Sequence, residues 1–496
     1  MHSSESEVDI SVSLVQYGNC ELIDSNLQEE AIAEIKRAYN NEHFLGFETL
    51  VYALVVLGHA KDFQIRKLAL LAGREICTTA ASVLTFTHFY KEASKPSKGW
   101  GRGHRRFLID WYNGKDAKDL AVEVTKVKTR YKWSHKDILC MAHIKAKNEA
   151  LGAVFKYLVK GLEIAKRECE SAEAEPVLRY LKSFYELSHS TDPIQAAGLV
   201  EVNEFCFEQI PSKIIKSKEV SLCVIPKLPL QNLLDLLPKF NKVGLLKPNS
   251  SHSTAVLERL ASEETLADNS VGPLETFVAI RKWQISNQNA PGKSGVKQVN
   301  PAIEDALQNL HLNSFSAVKP TEKRYLVALD IQVIMNLNKC AGCSAITPSH
   351  VSDILLMALV KSEATVVSTL AFSEEDVVQV DINDKMSLSD VVEHLSEVPK
   401  GPAVLSSPLN WALTKKIQFD TIIVFTHRLS ATQDNNLANV FKEYKETMHL
   451  PDAKFIVCTL CDRTSSFAHN DPSYLNIVGF NPKLLKVIQD FSCSLF

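Results

Sequence analysis

The chain lacks long apolar runs, a regular cysteine framework and the short signatures of common enzymes. No stretch of its 496 residues keeps an unbroken apolar character over the roughly eighteen positions a membrane helix needs. The opening Met1-His2-Ser3-Ser4-Glu5 shows no basic segment leading into an apolar one, the pattern of a secretory leader. These absences predict a protein kept in the cytoplasm or the nucleus, with no membrane partner. The 11 cysteines are odd in number and irregularly spaced, which suits a reducing compartment better than a disulfide scaffold. No G-x-S-x-G, H-E-x-x-H or phosphate-binding P-loop occurs, and Gly99, Gly101 and Gly103 lead into basic residues rather than following a strand. The expectation is a protein that is not an enzyme and carries no cofactor.

Strand-like alternation is nearly missing before residue 320. From about residue 26 to 310, apolar residues recur instead at helical spacing in short blocks: 27–39, 46–58, 63–76, 81–91, 117–130, 135–144, 149–164, 176–188 and 229–240. Successive helices of this length read as a HEAT-like repeat array, an α-solenoid in which each pair buries its face on the next. Residues 287–298, polar and rich in Pro and Gly, read as a loop within it. At Lys323 the pattern changes. Apolar β-branched runs at 325–329, 365–372, 420–426 and 453–460 alternate with helical segments at 349–361, 387–396, 435–448 and 481–491. This predicts an α/β doubly wound parallel sheet, with Asp330, Thr426 and Thr459 to Asp462 at the carboxyl ends of strands where such folds bind ligands. The domain reading is an N-terminal segment 1–25, a helical-repeat region 26–320 and an α/β domain 321–496.

Charge is unevenly spread. The formal net charge is −3, yet residues 91–160 hold 17 Lys and Arg against 7 Asp and Glu. A local surplus of this size concentrates a polyanion, and aromatic residues (Trp100, Trp111, Tyr112, Tyr131, Trp133, Tyr157) are interleaved with the cations, as base stacking and phosphate binding require. Taken singly, Trp111 and Trp133 read better as core residues. A helix over 117–130 would set Lys126 and Arg130 four residues apart on one face, with Lys128 well round from both. Ser134 reads as an N-cap, with His135 and Lys136 projecting from the first turn after it.

Three passages together resemble the TROVE family: Gly99-Trp100-Gly101-Arg102 followed by Asp110-Trp111-Tyr112-Asn113; Trp133-Ser134-His135-Lys136-Asp137; and Lys216-Ser217-Lys218-Glu219-Val220 followed by Leu228-Pro229-Leu230. The C-terminal part resembles a von Willebrand factor A domain through Tyr325 to Asp330, Ile422 to Thr426 and Phe455 to Cys458. The resemblance implies a ring-shaped helical solenoid whose basic hole takes single-stranded 3′ ends of misfolded RNAs while Y RNAs bind its outer surface. It thus implies a monomeric RNA-binding protein of a small ribonucleoprotein, acting in RNA quality control, with Y-like or misfolded small noncoding RNA as partner and further protein partners through the A domain. Joined with the charge map, it nominates Arg102, Arg105, Arg106, Lys126, Lys128, Arg130, Lys132, His135, Lys136, Lys216 and Lys218 as RNA contacts. Two departures stand out. Helical pattern begins only near residue 26, and Asp235 and Leu236 occupy places where the family carries basic and amide residues.

An A domain binds Mg²⁺ through Asp-x-Ser-x-Ser, a Thr from a later loop and an Asp after the fourth strand, because a hard cation takes about six oxygens. Here those places read Asp330, Gln332, Ile334, Ala403 and His427, so the site is degenerate and no metal is expected. Cys340/Cys343 and Cys458/Cys461 are both C-x₂-C and could converge on Zn²⁺, but Cys458 lies in an apolar strand and reads as core. The rival functional reading is a diverged protein-interaction scaffold that has lost metal and much of its RNA binding.

Overall fold

The computed structural model describes residues 25–40, 47–95, 99–266, 271–288, 299–372, 377–401, 403–429, 431–462 and 471–495. The expected N-terminal segment, but for Ser25, and residues 289–298 of the expected loop lie outside the described residues. Two compact units divide the chain between Leu228 and Pro229.

The first unit is helical. Phe63–Ile76 shows how sequence sets an element: the Asp62 side chain accepts from Gln64 N at 2.6 Å, and Ile65, Ala69, Ala72 and Ile76 form one buried stripe. Ala80–Ala93 starts on a capping box of Thr79 and Ser82. Phe47–Leu57 packs on Ser25–Asn40 and on Phe63–Ile76, and next-but-one helices also meet, Ser25–Asn40 on Phe63–Ile76 and Phe47–Leu57 on Ala80–Ala93, so helices close in sequence bury one another as in a repeat array. Phe86 and Phe107 stack with centroids 4.3 Å apart, an arrangement that adds roughly 0.5–1.5 kcal/mol beyond burial.

Three expectations change here. The helix expected over 149–164 is two, Glu149–Lys160 and Leu162–Glu168, because Gly161 adopts φ 91° and breaks the ladder. The helix expected over 117–130 ends at Lys126, where Val127 turns extended. A tight hairpin follows, β1 (Thr129–Arg130) and β2 (Trp133–Ser134), so a strand pair does precede residue 320. The helix Arg102–Asn113 is hard to see in the sequence because Gly101 and Gly103 hide the periodicity of His104, Phe107, Leu108, Trp111 and Tyr112. A Cβ at Gly103 would meet Leu70 Cδ1 at 2.7 Å, the end of a side chain that can turn aside.

The second unit opens with helices Leu230–Lys242, Ser251–Ala261, Pro273–Gln288 and Pro301–Ser314, then enters a six-stranded sheet. Its strands are β3 (Tyr325–Asp330), β4 (Val367–Phe372), β5 (Val377–Val380), β6 (Thr421–Thr426), β7 (Lys454–Thr459) and β8 (Tyr474–Val478), in the order β5-β4-β3-β6-β7-β8. All neighbours are parallel except β4 with β5. β3 is buried along its whole length, which is why it reads as a continuous apolar run. The edge strands β5 and β8 give a weak sequence signal because one has only four residues and the other carries Asn476 at its centre. Phe277 of Pro273–Gln288 lies 5.3 Å from the His350 ring on Pro348–Ser362, and Lys483 Nζ is 3.2 Å from Glu275 Oε1. The helices after Pro229 therefore share a unit with the sheet, so the change of pattern near 320 marks secondary structure rather than the compact division.

Candidate nucleic-acid interface

The helix Arg102–Asn113 turns Phe107, Leu108, Trp111 and Tyr112 into the core, which leaves Arg102, Arg105 and Arg106 exposed on its other side. Trp111 is anchored by donating Nε1–H to Cys77 O at 2.8 Å. Tyr112 is fully buried, and its hydroxyl meets His135 Nδ1 at 2.6 Å, while His135 Nε2 lies 2.9 Å from Val127 O. A carbonyl can only accept, so Nε2 carries the proton and Nδ1 takes the one from Tyr112. Burial pushes the His135 pKa down to about 4 and keeps the ring neutral.

The hairpin between these elements is held from three sides. Arg130 Nη2 and the Tyr131 hydroxyl both donate to Glu48 Oε1, each at 2.5 Å. The Tyr131 ring stacks on His88 at 4.5 Å and 10°. Trp133 meets Trp100 edge-on at 5.4 Å, which brings β2 against the residues that precede Arg102. Ser134 then caps His135–Met141 in a capping box with Asp137, as the sequence predicts.

The nominated cations near the hairpin fall into three groups. Arg102, Arg105, Lys132 and Lys136 are exposed and form no ion pair among the described residues. Arg106, Lys126 and Arg130 are engaged within the protein, with Asp110 at 3.0 Å, Glu123 at 2.9 Å and Glu48 at 2.5 Å. Desolvation is the largest influence on Lys126 and lowers its pKa, but the Glu123 hydrogen bond together with the charges of Glu123, Cys206 and Glu208 outweighs it, and the pKa is raised. Lys128 lays its ammonium 5.0 Å from the Phe184 centroid, and desolvation holds its pKa below the usual lysine value. The expected row Lys126, Lys128, Arg130 therefore does not exist as a helix face, because the helix has ended.

His135 is the plainest correction: at 1 % exposure it does not project from the helix N-terminus but supports the hairpin from inside. Its apolar neighbours lie outside the short motif that nominated it, so spacing alone could not show the burial. Lys216 and Lys218 are exposed beyond the Gln209 network, in which Gln209 Nε2 donates to Thr125 Oγ1 at 2.7 Å and the Tyr180 hydroxyl at 2.6 Å. Lys218 opens the helix Lys218–Val224, which packs on Pro193–Asn203, so these two lysines belong to a different part of the unit from the Trp100–Trp133 cluster. Sequence reasoning missed Glu48 and His88, which lie more than forty residues from the hairpin they hold.

Residues 23–197 match the family model described as the TROVE domain, and residues 324–492 match that described as the Ro60 vWA domain. The chain carries a TROVE domain and a Ro60-type vWA domain. A Deinococcus radiodurans protein named RNA-binding protein RO60 is 27% identical over 447 residues, covering 89% of this chain and 80% of that one. One of the same name from Caenorhabditis elegans is 23% identical over 465 residues, covering 84% and 71%. The crystal structure of the Deinococcus radiodurans RO (RSR) protein superposes with a TM-score of 0.80 at 23% identity, over 95% of this chain and 94% of that one, a likeness of fold.

In the vWA domain the chain passes from β3 to β4 on one side and returns to β6 on the other, which opens a crevice at the carboxyl ends of β3 and β6. Asp330 lies there, but its carboxylate is already satisfied: Oδ2 accepts from Thr426 Oγ1 at 2.8 Å and Oδ1 from Gln332 N at 2.9 Å. His427 Nδ1 stands 3.5 Å from Oδ2, where the family pattern has a second carboxylate. Ile334 and Ala403 bring no oxygen from their side chains. This donor set does not fit a hard divalent cation. The two C-x₂-C motifs do adjoin, since Ala341 N donates to Leu460 O at 2.9 Å, but Cys458 is fully buried within β7.

Proposed function

We propose that this TROVE-domain protein binds RNA as the protein part of a small ribonucleoprotein, with Y-like noncoding RNAs and the single-stranded 3′ ends of misfolded small RNAs as ligands, in the cytoplasm and the nucleus. The observation that carries the reading is the sorting of the basic window. After internal ion pairs are formed, Arg102, Arg105, Lys132 and Lys136 still present uncompensated charge, on the helix that follows Trp100 and on the turn and helix that flank Trp133. Cations without internal partners are the ones free to replace the counterions of a phosphate chain. The two relatives named as RNA-binding proteins support the same reading.

The test is a titration of the purified protein with a fluorescent stem-loop RNA bearing a 3′ single-stranded tail, at two salt concentrations. Tight binding that weakens steeply with salt is expected. No binding at low salt would overturn the proposal and leave the chain as a scaffold for protein partners.

A further inference from the structure

The link between β1 and β2 has two residues, Tyr131 and Lys132, and both adopt left-handed backbone conformations, φ 50° and 66°. A two-residue hairpin with positive φ at both central positions is a type I′ turn, for which Asn-Gly or Gly-Gly is the unstrained sequence. A bulky aromatic there is an outlier, and such outliers persist only where surrounding contacts over-determine them. Those contacts are the Glu48 carboxylate on Arg130 and Tyr131, the His88 stack, and the Trp100–Trp133 contact beyond the turn. The protein thus holds in place a turn that its local sequence disfavours. Tyr131 nevertheless stays 37% exposed, and Lys132 is exposed with no ion pair among the described residues. Lys132 takes no part in the core, and Tyr131, with its ring on His88, near Phe89 and 5.3 Å from the Arg130 guanidinium, keeps part of that ring open to solvent.

We propose that the Tyr131–Lys132 turn is a nucleotide contact, taking one unpaired nucleotide of RNA with its base against the exposed part of the Tyr131 ring and its phosphate on the Lys132 ammonium. The inference rests on the RNA-binding reading and deepens it. An aromatic face accepts any base, so the contact is tolerant of sequence but demands a base out of the duplex stack. The immobilised Tyr131 loses little freedom on binding, a gain that the strained turn makes possible. Lys136 on the next helical turn and Arg102 across the Trp100–Trp133 contact would take the adjoining phosphates.

The test uses the full chain and a fluorescent single-stranded RNA oligonucleotide, comparing wild type with Tyr131→Asn/Lys132→Gly, Tyr131→Phe and Lys132→Arg. The Asn-Gly protein relieves the turn but also loses the Tyr131 contacts to Glu48 and His88, so its melting curve serves to show that it folds; it should bind RNA roughly tenfold more weakly, as expected for removal of one stacked base with its phosphate. Tyr131→Phe and Lys132→Arg, which keep ring and charge, should retain affinity. An RNA affinity of the Asn-Gly protein equal to that of a binding wild type overturns the assignment of the turn alone. Failure of wild type itself to bind would instead overturn the RNA reading beneath it.

Discussion

Tyr112 donates its phenolic hydrogen to His135 Nδ1 across 2.6 Å, with both residues buried. The bond ties the helix Arg102–Asn113, which bears the arginines, to the helix that begins at His135 and carries Lys136. The Tyr112→Phe variant removes the donor and leaves Nδ1 buried without a partner, which costs about 1–3 kcal/mol. Chemical unfolding of the variant should show that loss. A stability equal to wild type would mean the bond contributes nothing.

Acid should loosen the protein before carboxylate titration begins. Burial lowers the pKa of His104 to about 3 and of His135, His311 and His350 to about 4, all beneath the ordinary value of 6.5. These rings stay neutral when folded and gain protons when unfolded, so stability falls as pH drops from about 6.5 toward 4, by on the order of a few kcal/mol. Asp353 acts in the opposite sense. It is buried against Ser349 and Ser352, and burial raises its pKa to about 7, so its ionised form weakens the fold most above that pH. Thermal midpoints across pH 8 to 4 should fall in acid for wild type, fall less for His104→Phe, and rise at pH 8 for Asp353→Asn. A flat profile in acid would refute the histidine account.

Cations engaged inside the protein and cations left free should respond differently to removal. Arg130→Ala strips Glu48 of a partner beneath the hairpin and should lower the midpoint of unfolding. Arg105→Ala and Lys136→Ala should leave the midpoint alone, while each flattens the salt dependence of RNA binding by about 0.7 for every single-strand phosphate that the side chain no longer meets. A phosphate-binding row of Lys126, Lys128 and Arg130 would require the opposite, and a larger slope change at those three positions would restore it.

Magnesium should not stabilise the vWA domain. Asp330 has its oxygens committed to Thr426 and Gln332, and His427 stands beside them. Millimolar Mg²⁺ should therefore leave the thermal midpoint where chelator puts it. A clear upward shift would show that the carboxylate can be recruited despite its partners.

Sequence by itself determined much of this protein. Periodicity located most helices of the first unit and four of the six sheet strands, since a buried stripe or buried run leaves its signature within ten residues of chain. The Ser134 cap and the degenerate metal positions were equally local, and the +10 surplus of residues 91–160 needed only counting. Tertiary structure decided which of those charges are available. Glu48 claims Arg130 from 82 residues away, Phe184 lies under Lys128, and Tyr112 with Val127 encloses His135. It also decided the Tyr131–Lys132 turn, whose residues disfavour the conformation they adopt. Burial and pairing depend on partners distant in sequence, and a motif of five residues carries no information about what folds over it.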